Sequence, residues 1–275
     1  MTATKVPSVP GQANPANIPQ FDWPQLAAFI LLPVAWWFIL LYGIAPLLLP
    51  AFSTPKGELN AFAVLSIATL GYLFEFFLAL NIFRKEGYAL RLRALKERIN
   101  WRWPRGWKKW VGILILFVVG FGISQLLQPL STAIASVLPP PDWFPASQHP
   151  FKEVNSLEDA LPGVVFKGNY LFLLLVLFSG TMNIVGEDLY YRGALIPKLH
   201  GLFGKKWAWL AGGIIWPLKH IYVWWRFIGD AGALGIVGAY AFGPMGSLPV
   251  TMLVHFIPNF GFTWPLIFQA VFGCG

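Results

Sequence analysis

Apolar runs of twenty residues and more recur along the chain, and no other feature restricts its fold so strongly. A helix that crosses about 30 Å of hydrocarbon needs roughly 20 mostly apolar residues. Segments 26–49, 59–83, 111–137 and 170–199 supply them. Segments 207–225, 227–243 and 247–262 read as further crossings, the sixth weak and rich in glycine. Segment 264–272 reads as a half-span or the core of an eighth helix. Lipid offers backbone groups no hydrogen-bond partner, so each span must satisfy its own. The predicted fold is therefore all-α, a polytopic membrane helix bundle with seven to eight transmembrane helices over residues 23–275. Composition agrees: 56% of residues are hydrophobic and 12% charged, about half the charge of an ordinary soluble domain.

Charge placement sets the expected topology. The net charge is +8, and 10 of the 20 Lys and Arg lie between Arg84 and Lys109. Positive loops stay in the cytoplasm. The 84–110 loop and the N-terminus are thus expected inside, and the acidic 139–167 connection outside. Lys198, His200, Lys205 and Lys206 return to the cytoplasm on this reading, which makes the chain an integral, multi-pass membrane protein. Because half the positive charge sits in one loop between apolar runs, membrane lipid is the expected partner and nucleic acid is not. Trp101, Trp103, Trp107 and Trp110 read as an interfacial belt. Residues 1–22, with Pro7, Pro10, Pro15 and Pro19, read as a disordered cytoplasmic tail rather than a signal peptide. One cysteine, Cys274, leaves no internal disulfide. No internal repeat is visible.

Ionisable residues inside spans are costly and are functional candidates by default. Three late segments hold most of them: Gly186 to Gly193, Trp216 to His220, and His255 to Asn259. Asp188 and Arg192 are four apart and can pair on one helix face. Glu187 lies about 100° round from Asp188, free to face something else. His255 and Asn259, also four apart, present an imidazole and an amide side by side. At about 1.5 Å per residue, Glu187, His220 and His255 fall at one level near the bilayer middle if the sixth segment crosses. Glu75 reads as a paired or protonated structural residue, and Lys219 as a side chain that snorkels to an interface.

A carboxylate, two imidazoles and an amide in a dry cavity suit peptide hydrolysis, which needs a base for water and donors for the oxyanion. Glu187 with His220 can serve as base and partner, and His255 with Asn259 as oxyanion donors. Glu187, His220 and His255 also have the composition of a zinc site with two His and one Glu. The residues leave both readings open, no cofactor or one divalent metal.

At these segments the chain resembles the CPBP family, the CAAX proteases and bacteriocin-processing enzymes also called Abi. The family's motifs are Glu-Glu-x-x-x-Arg, Phe-x-x-x-His and His-x-x-x-Asn on late membrane helices. Here they read Glu187-Asp188-x-x-x-Arg192, Trp216-x-x-x-His220 and His255-x-x-x-Asn259. The resemblance covers about 183–259, and implies a CPBP-like core at about 169–275. It implies an intramembrane endopeptidase acting on a membrane-associated peptide or protein, the prenylated CaaX type among them. Glu187 would activate the water with help from His220, and His255 and Asn259 would stabilise the oxyanion. Two positions depart from the pattern: Asp188 replaces the second Glu, and Trp216 replaces Phe. A non-catalytic membrane scaffold on the same fold, and a proton-coupled transporter using the buried carboxylates, are the competing readings.

Overall fold

A computed structural model describes residues 18–226, 228 and 232–273. Cys274 and most of the N-terminal tail, residues 1–17, lie outside them, as does the first residue of the expected sixth span, Phe227. The described residues form helices joined by short connections, with one isolated bridge between Ser53 and Leu59.

Helix α1 (Trp23–Phe52) opens on a capping box. The Asp22 side chain accepts from the Gln25 amide, and the Gln25 side chain accepts from the Asp22 amide, which satisfies two otherwise orphaned donors. Its winding loosens to a π-helix over Ile39–Ile44, just before Pro46. A local π turn is one way a membrane helix absorbs the N–H that proline lacks. Helix α2 (Ala61–Lys85) is capped by Asn60 and ends on Arg84 and Lys85, cations that suit a helix C-terminus. Short α3 (Leu92–Arg98) leads to α4 (Trp107–Val137). Leu114, Val118, Phe121 and Leu126 of α4 are exposed, the face such a helix turns to lipid.

After a capped turn, α5 (Leu157–Ala160), comes α6 (Tyr170–Lys198), the best buried of the long helices. Then follow α7 (His200–Leu218), a 3₁₀ turn over Lys219–Val223, α8 (Gly232–Phe242), α9 (Leu248–Phe260) and α10 (Thr263–Phe272). Helices α2 and α6 pack along each other, and α8 packs between α7, α9 and α4.

The all-α membrane bundle is as expected, but fewer helices are long enough to cross. Among the described residues α1, α2, α4 and α6 are long and apolar enough, and α9 with α10 forms a fifth span only as a pair bent by 57°. The expected fifth span, 207–225, fails because the α-helix ends at Leu218, just past Pro217, and the chain tightens into a 3₁₀ turn; upstream, Gly204 adopts φ 71°, a left-handed conformation that suits glycine and breaks the helix. The regular stretch beyond it covers only about 21 Å at 1.5 Å per residue. Of the expected sixth span, the described residues give α8 11 residues, about 17 Å. Apolar content was legible in the sequence; the glycine-rich breaks that divide it were not.

Both ends of the bundle are tied by polar contacts. At one end the Lys198 ammonium lies 2.9 Å from Glu86 and donates to the Pro19 carbonyl at 3.0 Å, while the Phe21 amide donates to the Lys198 carbonyl at 3.1 Å. Arg98 holds Glu86 with two hydrogen bonds, 2.7 and 3.1 Å. Thus the start of α1, the basic loop and the end of α6 share one side. Trp101, Trp103, Trp107 and Trp110 are exposed there. At the other end Lys152 holds Glu58 at 2.8 Å, and the Leu59 amide donates to the Trp143 carbonyl at 2.9 Å. In this connection burial, with Lys152 adding to it, pushes the His149 imidazole below its ordinary value.

Candidate active site

Proline placement shapes the backbone that carries the polar residues. Helix α6 is α-helical to Glu187, then winds as a π-helix over Asp188–Leu195, every residue of which is buried. Pro197 has no N–H to give the carbonyl four residues earlier. That carbonyl, Gly193, accepts instead from the buried Arg98 guanidinium at 2.6 Å. Pro217 likewise interrupts α7, and the chain tightens into the 3₁₀ turn that carries Lys219 and His220. His255 and Asn259 lie one turn apart on α9.

One cavity of about 420 Å³ is lined by Glu187, His220, His255 and Asn259 together, with Asn183, Trp216, Tyr72 and Arg226 on its wall. All four residues expected from the sequence to do chemistry therefore reach the same space. The geometry does not depend on the sixth segment crossing the bilayer, as the estimate of a common level did. Helices α6 and α9 and the 3₁₀ turn after α7 bring the residues together.

Glu187 is 2% exposed and is held by three donors. Its Oε1 accepts from Asn183 Nδ2 at 2.7 Å, one turn back on α6. Its Oε2 accepts from the Trp216 indole N–H at 3.2 Å and sits 2.7 Å from the Lys219 ammonium. His255 Nε2 lies 3.9 Å from the same oxygen. Asn259 donates to the Asn183 side-chain oxygen at 3.3 Å, so a chain of amides runs from Asn259 to the carboxylate.

Asp188 and Glu187 flank the same imidazole, His255. Asp188 lies 2.9 Å from Arg192 and 3.5 Å from His255 Nδ1. The Asp188–Arg192 contact is an ion pair outside hydrogen-bond geometry. The Arg192 guanidinium also lies 4.2 Å from the Trp216 ring centroid, a cation–π contact of the kind that gains strength when desolvated. Trp216 also meets His220 and His255, both edge-on to its ring, at 4.9 and 5.6 Å. His220 Nδ1 is buried without a hydrogen-bond partner.

Lys219 does not snorkel. It is fully buried, bridging Glu187 at 2.7 Å and Glu75 at 3.4 Å, and Glu75 accepts from the Trp37 indole at 3.0 Å. The reason is electrostatic: two carboxylates inside the bundle offer the ammonium a better partner than the distant interface. Glu75 is paired, as expected, but to the site itself. Asn183 was foreseeable as the residue one turn before Glu187. The Trp216 indole contact and the Lys219 bridge carry no local signal, because both join segments far apart in the chain.

The donor set fits a metal poorly. Among the described residues no three His, Cys, Asp or Glu side chains are grouped to hold an ion, and the Glu187 Oε2 that would ligate it faces Lys219 and Trp216.

Fold and site together define a polytopic helical membrane protein with a buried carboxylate–imidazole–amide cavity. Residues 169–261, about a third of the chain, match the family described as Rce1-like, type II CAAX prenyl endopeptidase. The resemblance to CPBP and CAAX proteases read from the three motifs holds over that segment, and the match is to a protease family. No curated protein and no solved structure matches the chain.

Proposed function

We propose that the chain is an intramembrane endopeptidase that hydrolyses a peptide bond of a membrane-associated substrate, of the prenylated CaaX type, with Glu187 as the base. The observation that carries this reading is the convergence of Glu187, His220, His255 and Asn259 on one cavity from three separate elements. Glu187 removes a proton from a water in the cavity, and the hydroxide adds to the scissile carbonyl. His255 and Asn259 donate to the oxyanion that forms. His220 assists Glu187, and the proton passes to the leaving amine as the tetrahedral intermediate collapses. Asp188 and Arg192 brace the π segment behind Glu187. The end of the bundle that holds the basic loop and the start of α1 faces the cytoplasm, as its positive charge favours.

The test is cleavage of a prenylated peptide by purified protein in lipid nanodiscs. Glu187→Gln and His220→Ala should each lower kcat by about 10² or more, the usual loss for a positioned acid–base group. An inactive native chain, or equal cleavage by Glu187→Gln, overturns the reading. Full retention of the cellular role by both variants instead supports a scaffold.

A further inference from the structure

Lys219 occupies a position that the Trp216-x-x-x-His220 motif leaves open. Its ammonium stands 2.7 Å from Glu187 and 3.4 and 3.5 Å from the two oxygens of Glu75. All three side chains are buried, and the Trp37 indole closes the far side on Glu75. The bridge therefore joins α1 and α2 to α6 through the turn that carries His220. A 3₁₀ helix has three residues per turn, so neighbours point about 120° apart. Anchoring Lys219 on two carboxylates sends His220 to the adjacent direction, onto the Trp216 edge and the cavity wall.

We propose that Lys219 is a positioning residue. Its ion pair with Glu187 orients the base and sets the angle of His220, and Glu75 is the counter-charge that keeps the ammonium in place. The proposal rests on the endopeptidase reading and adds to it a second-helix acid and a lysine that the family motifs do not contain. Geometry favours the role. The ammonium lies between the two carboxyl groups, so Glu75 holds it beside Glu187 from the opposite side. The aromatic faces of Tyr191 and Trp216, 5.1 and 6.0 Å from the ammonium, close its remaining sides.

The experiment compares kcat and KM for Lys219→Met, Glu75→Gln and the double variant on a prenylated peptide in nanodiscs, with thermal unfolding of each. Lys219→Met should lower kcat at least about tenfold, the effect of losing one charged hydrogen bond, and leave KM within about twofold, since uniform binding is untouched. Lys219→Met also strands Glu75, so the single variant is destabilised. The double variant removes the stranded Glu75 charge, while Glu187 still lacks its cation, so it should regain part of the lost stability, yet its kcat should stay low. Recovery of kcat together with stability would show a merely structural pair and overturn the proposal. Native kcat in Lys219→Met, with Glu187→Gln inactive, overturns it while leaving the protease reading intact. An inactive native chain overturns both.

Discussion

Replacing Trp216 by Phe gives the motif the aromatic residue that the family resemblance calls for, and removes one donor from Glu187. The indole N–H donates to Glu187 at 3.2 Å, the long end of the N–H···O range. A hydrogen bond to a charged group contributes about 1.5–3 kcal/mol, so the long contact stands for about 1.5 kcal/mol. Phenylalanine keeps a ring under the Arg192 guanidinium, now 4.2 Å from the indole, but holds a cation less well, a loss of about 0.5 kcal/mol. The smaller ring leaves a partial void against His220 and His255, at about 0.5–1 kcal/mol. Trp216→Phe should therefore lower stability by about 2–3 kcal/mol, read from the denaturant midpoint in detergent micelles. Cleavage should fall about tenfold rather than vanish, because Asn183 and Lys219 still hold the carboxylate. The control is Trp207→Phe on the same helix. Trp207 is exposed, and its replacement should stay within about 0.5 kcal/mol. A Trp216→Phe protein as stable and as active as the native one would refute the indole–carboxylate contact.

At Gly186 a methyl group would lie 2.6 Å from the Tyr72 carbonyl, so Gly186→Ala should push α6 off α2 and cost about 1–3 kcal/mol, measured by thermal unfolding; an unchanged midpoint refutes the close approach. Arg98→Met leaves the Gly193 carbonyl without a partner and Glu86 with Lys198 alone, and should cost about 1–3 kcal/mol, measured by thermal unfolding; an unchanged midpoint refutes the contact. His149 in the 139–167 connection gives a pH-dependent prediction. The Phe151 amide donates to His149 Nδ1 at 3.3 Å, which requires a neutral ring, and burial lowers the affinity of that ring for a proton. The unfolded chain then binds the proton first, so stability is undiminished above about pH 6.5 and falls as pH drops below it. Relative to the unstructured exchange rate at each pH, amide protection over 146–152 should fall from pH 7 to pH 5.5 and lose that dependence in His149→Phe; pH-independent protection in the native chain refutes the assignment.

The membrane character, the helical class and four of the spans were legible in hydropathy, since apolar length is a local property that lipid alone imposes. The three polar segments were legible for the same reason: an ionisable group inside an apolar run is conspicuous wherever it falls. Local spacing also placed Asp188 beside Arg192, although the segment winds as a π-helix rather than the assumed α-helix. Spacing could not show that Gly204 would break α7 or that Lys219–Val223 would wind as a 3₁₀ turn, because both depend on how the late helices pack. Nor could it show the destination of Lys219. An isolated lysine near a span end snorkels unless something inside the bundle is better, and that something is Glu75, 144 residues away. What the sequence alone determined is which residues could not face lipid. What the tertiary structure decided is which of them face each other, because the energy of a buried charge depends on partners that only folding brings near.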